Sequence, residues 1–484
     1  MWTKVHKILV TDEKLTFFCF THIFVLPLQT TCILKRNWGF TTISNNSYLI
    51  IMVLKRLFGF DPSKHSVKTE IMAGLTSFLT MAYILAVNPS IFAPLASMGM
   101  DTNAVFTATI LASVIGTLVM AFYAKMPFGL APGMGLNAYF VYVCISMGYS
   151  WQFALTAILI EGIIFIILSV TKVREKIVHA IPAQQQAAIS VGIGLFIVSL
   201  GLKNSGIIEQ SGDASIITLG HITSGSALLC IIGIIVTAAL LIYKVKGAIL
   251  IGILVTTLIG IPFGETEING IIGLPPDVSP LCMQFEWDNI FNLDMLIVVF
   301  TFLFMDLFDT IGTLIGVMGS AGMVKKDGKI PHVNEALMAD AIATTLGACV
   351  GASTTTTFVE SASGVTEGGR TGLSAFTIAM LFLVSMFFSP LFLAIPSAAT
   401  SPALIIVGLM MFTRVAVIDF NSYEEGLPAF ITLFSMAMAS SISDGILLGI
   451  ISYVVLNAIA RRWENLNWTL VILAILFTAK YVFL

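Results

Sequence analysis

Two stretches of this chain hold the side chains with the most chemistry to offer. The first is Asp306-Leu307-Phe308-Asp309-Thr310-Ile311-Gly312-Thr313. Asp309 and Thr313 stand four apart and share one helical face, and Asp306, one turn back, could point the same way. The second runs Ser353-Thr354-Thr355-Thr356-Thr357-Phe358-Val359-Glu360-Ser361-Ala362-Ser363-Gly364. Consecutive threonines favour extended backbone over helix, because each carries two heavy atoms on Cβ. Gly364, Gly368 and Gly369 then limit any helix that follows. The expected result is an extended stretch feeding a short half-helix, with Glu360 near its start, where the positive end of the helix dipole favours a carboxylate.

A third stretch, Ala131-Pro132-Gly133-Met134-Gly135-Leu136-Asn137-Ala138, places one proline and two glycines in the middle of an apolar segment. Backbone amides freed there, around Gly135, would point at whatever lies between the segments, and Asn137 offers both a donor and an acceptor. Each stretch also has a plainer explanation: a helix cap, a helix–helix hydrogen bond, or glycines that only let helices pack closely.

Taken together, Asn137, Asp309, Glu360, the hydroxyls of Thr313 and Thr357, and the backbone near Gly135 form a set without lysine or arginine. Such a set suits a small, planar, neutral ligand with several N–H donors. A carboxylate can accept two adjacent N–H groups of a nucleobase edge, while Asn137 and backbone amides address carbonyls and ring nitrogens. It does not suit an anion. Asp309, Glu360 and Asp306 are also the candidates for taking up and releasing a proton in each cycle, with sodium the other coupling ion they allow. Glu161 and Asp340 read as structural, satisfied by neighbours such as Gln152 or the Thr344-Thr345 pair. No metal-ligand spacing stands out; His332 and Glu335 lie beside the Lys325–Lys329 loop and read as a solvated turn. No metal or organic cofactor is expected.

The elements that must position these groups are membrane helices. Charged residues make up 11% of the chain, against about 25% in soluble domains, and hydrophobic residues make up 57%. A bilayer accommodates this, needing about 20 mostly apolar residues per span. Apolar segments fall near 70–92, 104–124, 128–147, 151–171, 183–200, 225–243 and 247–262, then near 294–319, 335–351, 354–367, 372–395, 400–413, 427–441 and 443–460. A last run, 467–483, spans or lies at the interface. Short runs broken by glycine or polar residues read as discontinuous helices, tolerated only where they are buried in protein or line a cavity. The expected fold is therefore an all-α polytopic membrane protein of about fourteen segments, with a broken third and tenth that contain short extended stretches.

Basic residues support that count. With the chain before residue 70 cytoplasmic, alternate loops carry Lys64 and Lys68, Lys125, Lys172 to Lys176, Lys244 and Lys246, Lys325 to Lys329, Arg370, Arg414, and Arg461 with Arg462. The opposite loops carry Lys203, and the longest of them, about 263–293, is acidic without a basic residue. Seven plus seven invites an internal repeat. Ile181-Pro182 followed by Val191-Gly192 and Phe196 resembles Ile395-Pro396 followed by Val407-Gly408 and Phe412, and Lys246–Gly252 resembles Asp444–Gly449. Halves with an odd number of spans must be inverted, a transporter architecture with the site at the midplane. The net charge of -3 says nothing about nucleic acid, but no basic patch or stripe is present, and no nucleic-acid partner is expected. Cys19, Cys32, Cys144, Cys230, Cys282 and Cys349 are scattered and read as small core residues. Residues 1–51 hold a poor span and a poor signal peptide. Met52 would make an alternative start, which leaves an upstream extension or an extra helix.

The motifs Ala131–Ala138, Leu307–Thr313 and Ser353–Glu360 through Gly368-Gly369-Arg370-Thr371-Gly372-Leu373 resemble the xanthine/uracil permease family, the second nucleobase–cation symporter family. The likeness is to its AzgA-like branch of hypoxanthine, guanine and adenine permeases, and runs from about Lys55 to the C-terminus. Glu70-Ile71-Met72-Ala73-Gly74 and Val87-Asn88-Pro89 fit the same branch. The resemblance implies a core domain from residues 52–176 and 293–395, a gate domain from 177–292 and 396–460, and a C-terminal apolar tail, 461–484. It implies substrate contacts at Asn137, Asp309 and Glu360, a homodimer, and a bacterial inner membrane with the N-terminus inside. Asp309, where uracil and xanthine relatives usually carry glutamate, points to purines, guanine and hypoxanthine ahead of adenine. An anion exchanger of the same seven-plus-seven fold is the nearest rival. An intramembrane enzyme is remote, since no histidine or lysine inside a span could serve as a base, and a channel's repeated selectivity elements are not visible.

Overall fold

The computed structural model describes residues 52–170, 182–211, 216–223, 225–266, 270–288, 290–320, 332–438 and 442–483, with the backbone of four strands and the start of one helix within residues 1–51. Those strands, β1 (Lys4–His6), β2 (Thr16–Thr21), β3 (Thr30–Arg36) and β4 (Gly39–Ile43), form one antiparallel sheet in chain order. The β-branched and aromatic run of β2, Thr-Phe-Phe-Cys-Phe-Thr, favours strand; residues 22–29, in the middle of the apolar stretch, lie outside the described residues. Helix α1 (Asn45–Phe58) leads into the rest.

The first half continues with α2 (Val67–Met81), α3 (Ile84–Phe92), α4 (Thr102–Val119), α5 (Met134–Ile145), α6 (Trp151–Val170), α7 (Ala183–Asn204), α8 (Gly225–Ile242) and α9 (Ala248–Gly260). The second contains α10 (Leu293–Ser320), α11 (Val333–Cys349), α12 (Ser361–Thr366), α13 (Gly372–Ser385), α14 (Ser397–Phe412), α15 (Tyr423–Met438), α16 (Ile442–Ile459) and α17 (Trp468–Phe483). Among the described residues, seven helical stretches are long and apolar enough to cross a bilayer on their own, from Val67–Met98 to Ser397–Val417. This is a helical membrane protein. Its side-chain core is continuous, with Tyr83, Tyr139, Phe106, Phe140, Phe302 and Phe382 fully buried.

Two segments break the helical rule. Strand β5 (Leu130–Pro132) precedes α5, and β8 (Thr355–Thr357) precedes α12. Pro132 cannot donate to a helix, and the threonine run resists one. Extended backbone inside a membrane protein must find partners elsewhere, and these two strands find each other. They pair antiparallel, Leu130 with Thr357, Ala131 with Thr356 and Pro132 with Thr355. Bonds from Gly133 N to Thr354 O (3.0 Å) and from Phe358 N to Gly129 O (3.0 Å) extend the ladder at both ends.

One hydroxyl closes each outer edge of the ladder. Thr117 Oγ1, on α4, accepts from Leu130 N at 2.9 Å and donates to Leu130 O at 3.2 Å. Thr344 Oγ1, on α11, does the same for Thr355, at 3.3 and 3.1 Å. A further strand pair, β6 (Ile208–Ser211) with β7 (Ile216–Leu219), forms a hairpin between α7 and α8 that the sequence reading does not anticipate.

The ends of the helices are tied by loops that fall into two sets. In one, Lys246 Nζ meets Glu367 Oε1 at 2.6 Å, Arg462 pairs with Glu424, and Gly59 packs on Lys125. In the other, the acidic segment after α9 meets the starts of α4 and α6 and the end of α11, as in the bond from Thr107 Oγ1 to Pro276 O at 2.8 Å. Basic loops therefore keep company with basic loops.

Glu70, in the first turn of α2, is 1% exposed and spans to the start of α13. Its carboxylate accepts from Arg370 N (3.1 Å), Thr371 N (3.2 Å) and the Ser374 hydroxyl (2.5 Å). These are amides that a helix start leaves without partners. Replacing Glu70 by Ala leaves them buried and unmatched, an expected loss of about 3 kcal/mol. A thermal scan of the detergent-solubilised protein should show an unfolding midpoint several degrees lower; an unchanged midpoint would refute this role.

Candidate functional site

The ladder sets the starts of two helices against one space. Gly135 lies four residues past the middle of β5 and Glu360 four past the middle of β8, so the two occupy equivalent places on the strands' continuations, each at or next to a helix start. Both line a cavity of about 70 Å³, several times the roughly 10–15 Å³ that admits one water molecule. The first amides of a helix lack intrahelical acceptors; those of Met134, Gly135 and Leu136 belong to residues on the cavity wall. Gly135 is required there, since a Cβ would come within 2.7 Å of Ile193 Cγ2.

The polar lining comes from three elements. Helix α10 supplies Asp309 and, one turn on, Thr313; the end of β8 supplies Thr357, and the start of α12 supplies Glu360. Thr357 Oγ1 is buried without a hydrogen-bond partner in the protein, so a donor or acceptor brought by a ligand would be its first. Among the described residues, no lysine, arginine or histidine lines the cavity.

The remaining wall is apolar: Ile193 and Ile197 from α7, Val407 and Met411 from α14, with Met305 between. Ile193 and Ile197 follow Pro182 at the same two offsets as Val407 and Met411 follow Pro396. The helices touch at Gly194 and Gly408, each of which lies against the other's carbonyl oxygen.

Five of the six residues singled out from sequence as ligand contacts, Gly135, Asp309, Thr313, Thr357 and Glu360, meet at this cavity. Asn137 does not line it. It is fully buried on the next turn of α5, where Nδ2 donates to Asn88 Oδ1 at 2.6 Å and to Pro132 O at 3.3 Å, while Asn88 in turn donates to Thr109. Its position supports the broken segment from behind.

Asp306 also faces away from the cavity. It accepts from Thr310 Oγ1 at 3.2 Å, and the same hydroxyl lies 3.0 Å from Asp340 Oδ2 and 2.6 Å from Thr356 Oγ1. Three residues along a helix leave two side chains about 60° apart, enough to put Asp309 on the cavity and Asp306 behind β8. Glu161 accepts from Thr354 Oγ1 at 2.7 Å. Thr354, just before β8, and Thr310, on α10, are thus partners of Glu161 and Asp340, and the Thr344 hydroxyl bonds the β8 backbone. His332 and Glu335 lie exposed, 3.4 Å apart.

Tyr83, between α2 and α3, carries no sequence signal yet reaches the site. Its hydroxyl donates to Glu360 Oε1 at 2.6 Å, and the ring is fully buried. Thr80 Oγ1 and Ser363 Oγ hold the Glu360 carbonyl from the other side, at 3.2 and 2.7 Å. One carboxylate oxygen is thus fixed and the other left for a ligand. Removing the hydroxyl in Tyr83→Phe should raise the KM for a ligand bound at Glu360 about tenfold, the order of one hydrogen bond to a charged group. An unchanged KM in initial-rate uptake would show that Tyr83 does not position the carboxylate.

Helix starts paired across a short ladder, acids turned inward and an apolar facing wall define a membrane permease rather than an enzyme. The chain belongs to the xanthine/uracil permease family: the profile of this permease family (Xan_ur_permease) matches residues 68–448. A protein of Methanocaldococcus jannaschii named only as a permease is 47% identical over 90% of this chain and its own entire length. The guanine/hypoxanthine permease PbuO of Bacillus subtilis is 42% identical over 87% of this chain and 98% of its own. The adenine permease AdeQ of Escherichia coli is 39% identical over 89% and 96%. Among solved structures, the transmembrane domain of the cyanobacterial bicarbonate transporter BicA superposes with a TM-score of 0.59, covering 79% of this chain and 97% of that one at 16% identity. Murine Slc26a9, an anion transporter, gives 0.59 at 12% identity over 88% and 74%. These two establish the fold alone.

Proposed function

We propose that this protein is a secondary active transporter of purine nucleobases, guanine and hypoxanthine ahead of adenine, driven by a proton and working by alternating access. The observation that carries this reading is the cavity in which Asp309 and Glu360 stand beside Thr313, Thr357 and two helix starts with no cation in the lining. An acid accepts the paired N–H groups of a base edge, and helix-start amides address its carbonyl. The flat apolar wall of Ile193, Ile197, Val407 and Met411 suits the ring faces. The names of relatives such as PbuO and AdeQ favour purines over pyrimidines.

In this reading the chain forms fourteen segments in two inverted sevens. The reciprocal ladder, the matched Thr117 and Thr344, and the matched offsets after Pro182 and Pro396 support it. The core, 52–176 with 293–395, carries the acids, and the gate, 177–292 with 396–460, carries the apolar wall. Rocking one against the other exposes the cavity to each side in turn. The loops rich in lysine and arginine face the cytoplasm, and the proton rides on Asp309 or Glu360. Anion carriage, the activity in the names of the solved neighbours, is disfavoured by two acids in a cavity whose described lining holds no lysine, arginine or histidine.

The test is uptake of radiolabelled hypoxanthine by cells lacking their own purine permeases, with unlabelled guanine, adenine, xanthine and uracil as competitors. Uptake blocked by guanine or adenine but not uracil, and collapsed by a protonophore, is the expected result. No uptake of any base by protein shown to be in the membrane would overturn the reading.

A further inference from the structure

The segment between α9 and α10 is a strap fastened to the ends of several helices. Gly273 N donates to Phe387 O at 2.9 Å, Thr107 Oγ1 to Pro276 O at 2.8 Å, and Met283 N to Cys349 O at 2.9 Å. The Ser150 hydroxyl then holds Glu286, and the neighbouring Tyr149 hydroxyl holds Asp294 in the first turn of α10. The Met283 fastening brings two cysteines together. Bonding residue 283 to Cys349 lays Cys282 beside Cys349, and the contact continues at Gly351, where any Cβ would overlap Leu281. Gly351 also adopts a φ of +83°, which favours glycine. Cys282 and Cys349 are partly exposed, whereas Cys144 and Cys230 are buried.

We propose that Cys282 and Cys349 form a modification site, a thiol pair that closes to a disulfide by exchange with a disulfide compound on the outer side of the membrane. The Cys282 thiolate attacks one sulfur of the compound and expels the first thiolate, leaving a mixed disulfide. The Cys349 thiolate then attacks the Cys282 sulfur and expels the second. The cysteines lose two electrons and two protons, and the compound is reduced to two thiols. The side follows from the orientation proposed above; the identity of the substrate does not enter. Cys282 falls within 177–292, but Cys349 and the other fastening points, Thr107, Ser150 and Phe387, all lie in the proposed core, so the strap rides with the core and the bond leaves rocking free.

The experiment treats membranes with oxidised glutathione, alkylates the remaining thiols and maps peptides without reduction. Peptide-level mapping is needed because Cys19 and Cys32 are also strand partners. Expected is a Cys282–Cys349 cross-linked peptide in most of the protein, reversed by dithiothreitol and absent from Cys282→Ser. Hypoxanthine uptake should be retained, and the unfolding midpoint should rise by a few degrees in the oxidised native chain alone. Glutathione adducts on either cysteine without the cross-link, or two free thiols after treatment, would overturn the proposal. The chemical readout should be the same in the Glu360→Gln variant, so failure here is separable from failure of the transport reading.

Discussion

Glu360→Gln should reduce nucleobase uptake by at least a hundredfold while leaving the protein in the membrane. The substitution keeps shape, and its amide oxygen can still accept from Tyr83. What it removes is the charge and the second acceptor, the one directed at the ligand. A hydrogen bond to a charged group contributes about 1.5–3 kcal/mol, and at the upper end of that range its loss is a factor above a hundred. The new NH2 would also oppose the ligand's own N–H groups. Initial rates should fall while the amount of protein in the membrane, measured by immunoblot, stays constant. Uptake within twofold of the native rate would remove Glu360 from the site.

A comparable loss is expected from a change that touches no ligand. Gly364, on α12, lies against α2, and a Cβ there would fall well inside van der Waals contact of the Ala73 carbonyl oxygen and Ser77 Oγ. The backbone atom cannot yield, so Gly364→Ala must move the half-helix. Glu360 stands at the start of that half-helix and depends on Thr80 and Tyr83, which stay with α2. A displacement of 1 Å is enough to break well-aligned hydrogen bonds. Uptake should drop tenfold or more, with an unfolding midpoint lowered as well. Gly364→Ala with normal uptake and stability would mean that α12 has slack the packing does not display.

Much of the architecture was legible because membrane spans announce themselves by apolar length and by where lysines and arginines fall. Pro132 and the threonine run marked the two places where helix must give way, since each acts through local backbone chemistry. Asp309 and Glu360 stood out because a charge in an apolar segment demands a reason. The rest depends on contacts between distant segments. Tyr83 is one aromatic among many, and nothing local says that its hydroxyl meets Glu360. Asn137 read as a ligand contact because its amide is versatile; its Nδ2 is engaged by Asn88 and Pro132, a pairing between distant segments that no local signal announces. Asp306 and Asp309 share a motif yet face different neighbours, a difference set by the rotation of α10. The sheet near the N-terminus is not legible in the sequence, because an apolar stretch of mixed composition, such as 17–34, is as compatible with a poor span as with strands.

The ladder between β5 and β8 also bears on how the chain is made. Pro132 and Thr355, which it brings together, are more than 200 residues apart. At about 5–20 residues per second, synthesis of the intervening chain takes roughly 10–40 seconds. For that time the first broken segment has no strand to pair with, although its backbone is destined for the interior of a membrane protein. Thr117 on the preceding helix can cover one edge, but the other must be shielded by water, lipid headgroups or an insertion factor until the second half emerges. Neither half can mature alone, which makes the nascent chain, rather than the finished carrier, the stage most exposed to quality control.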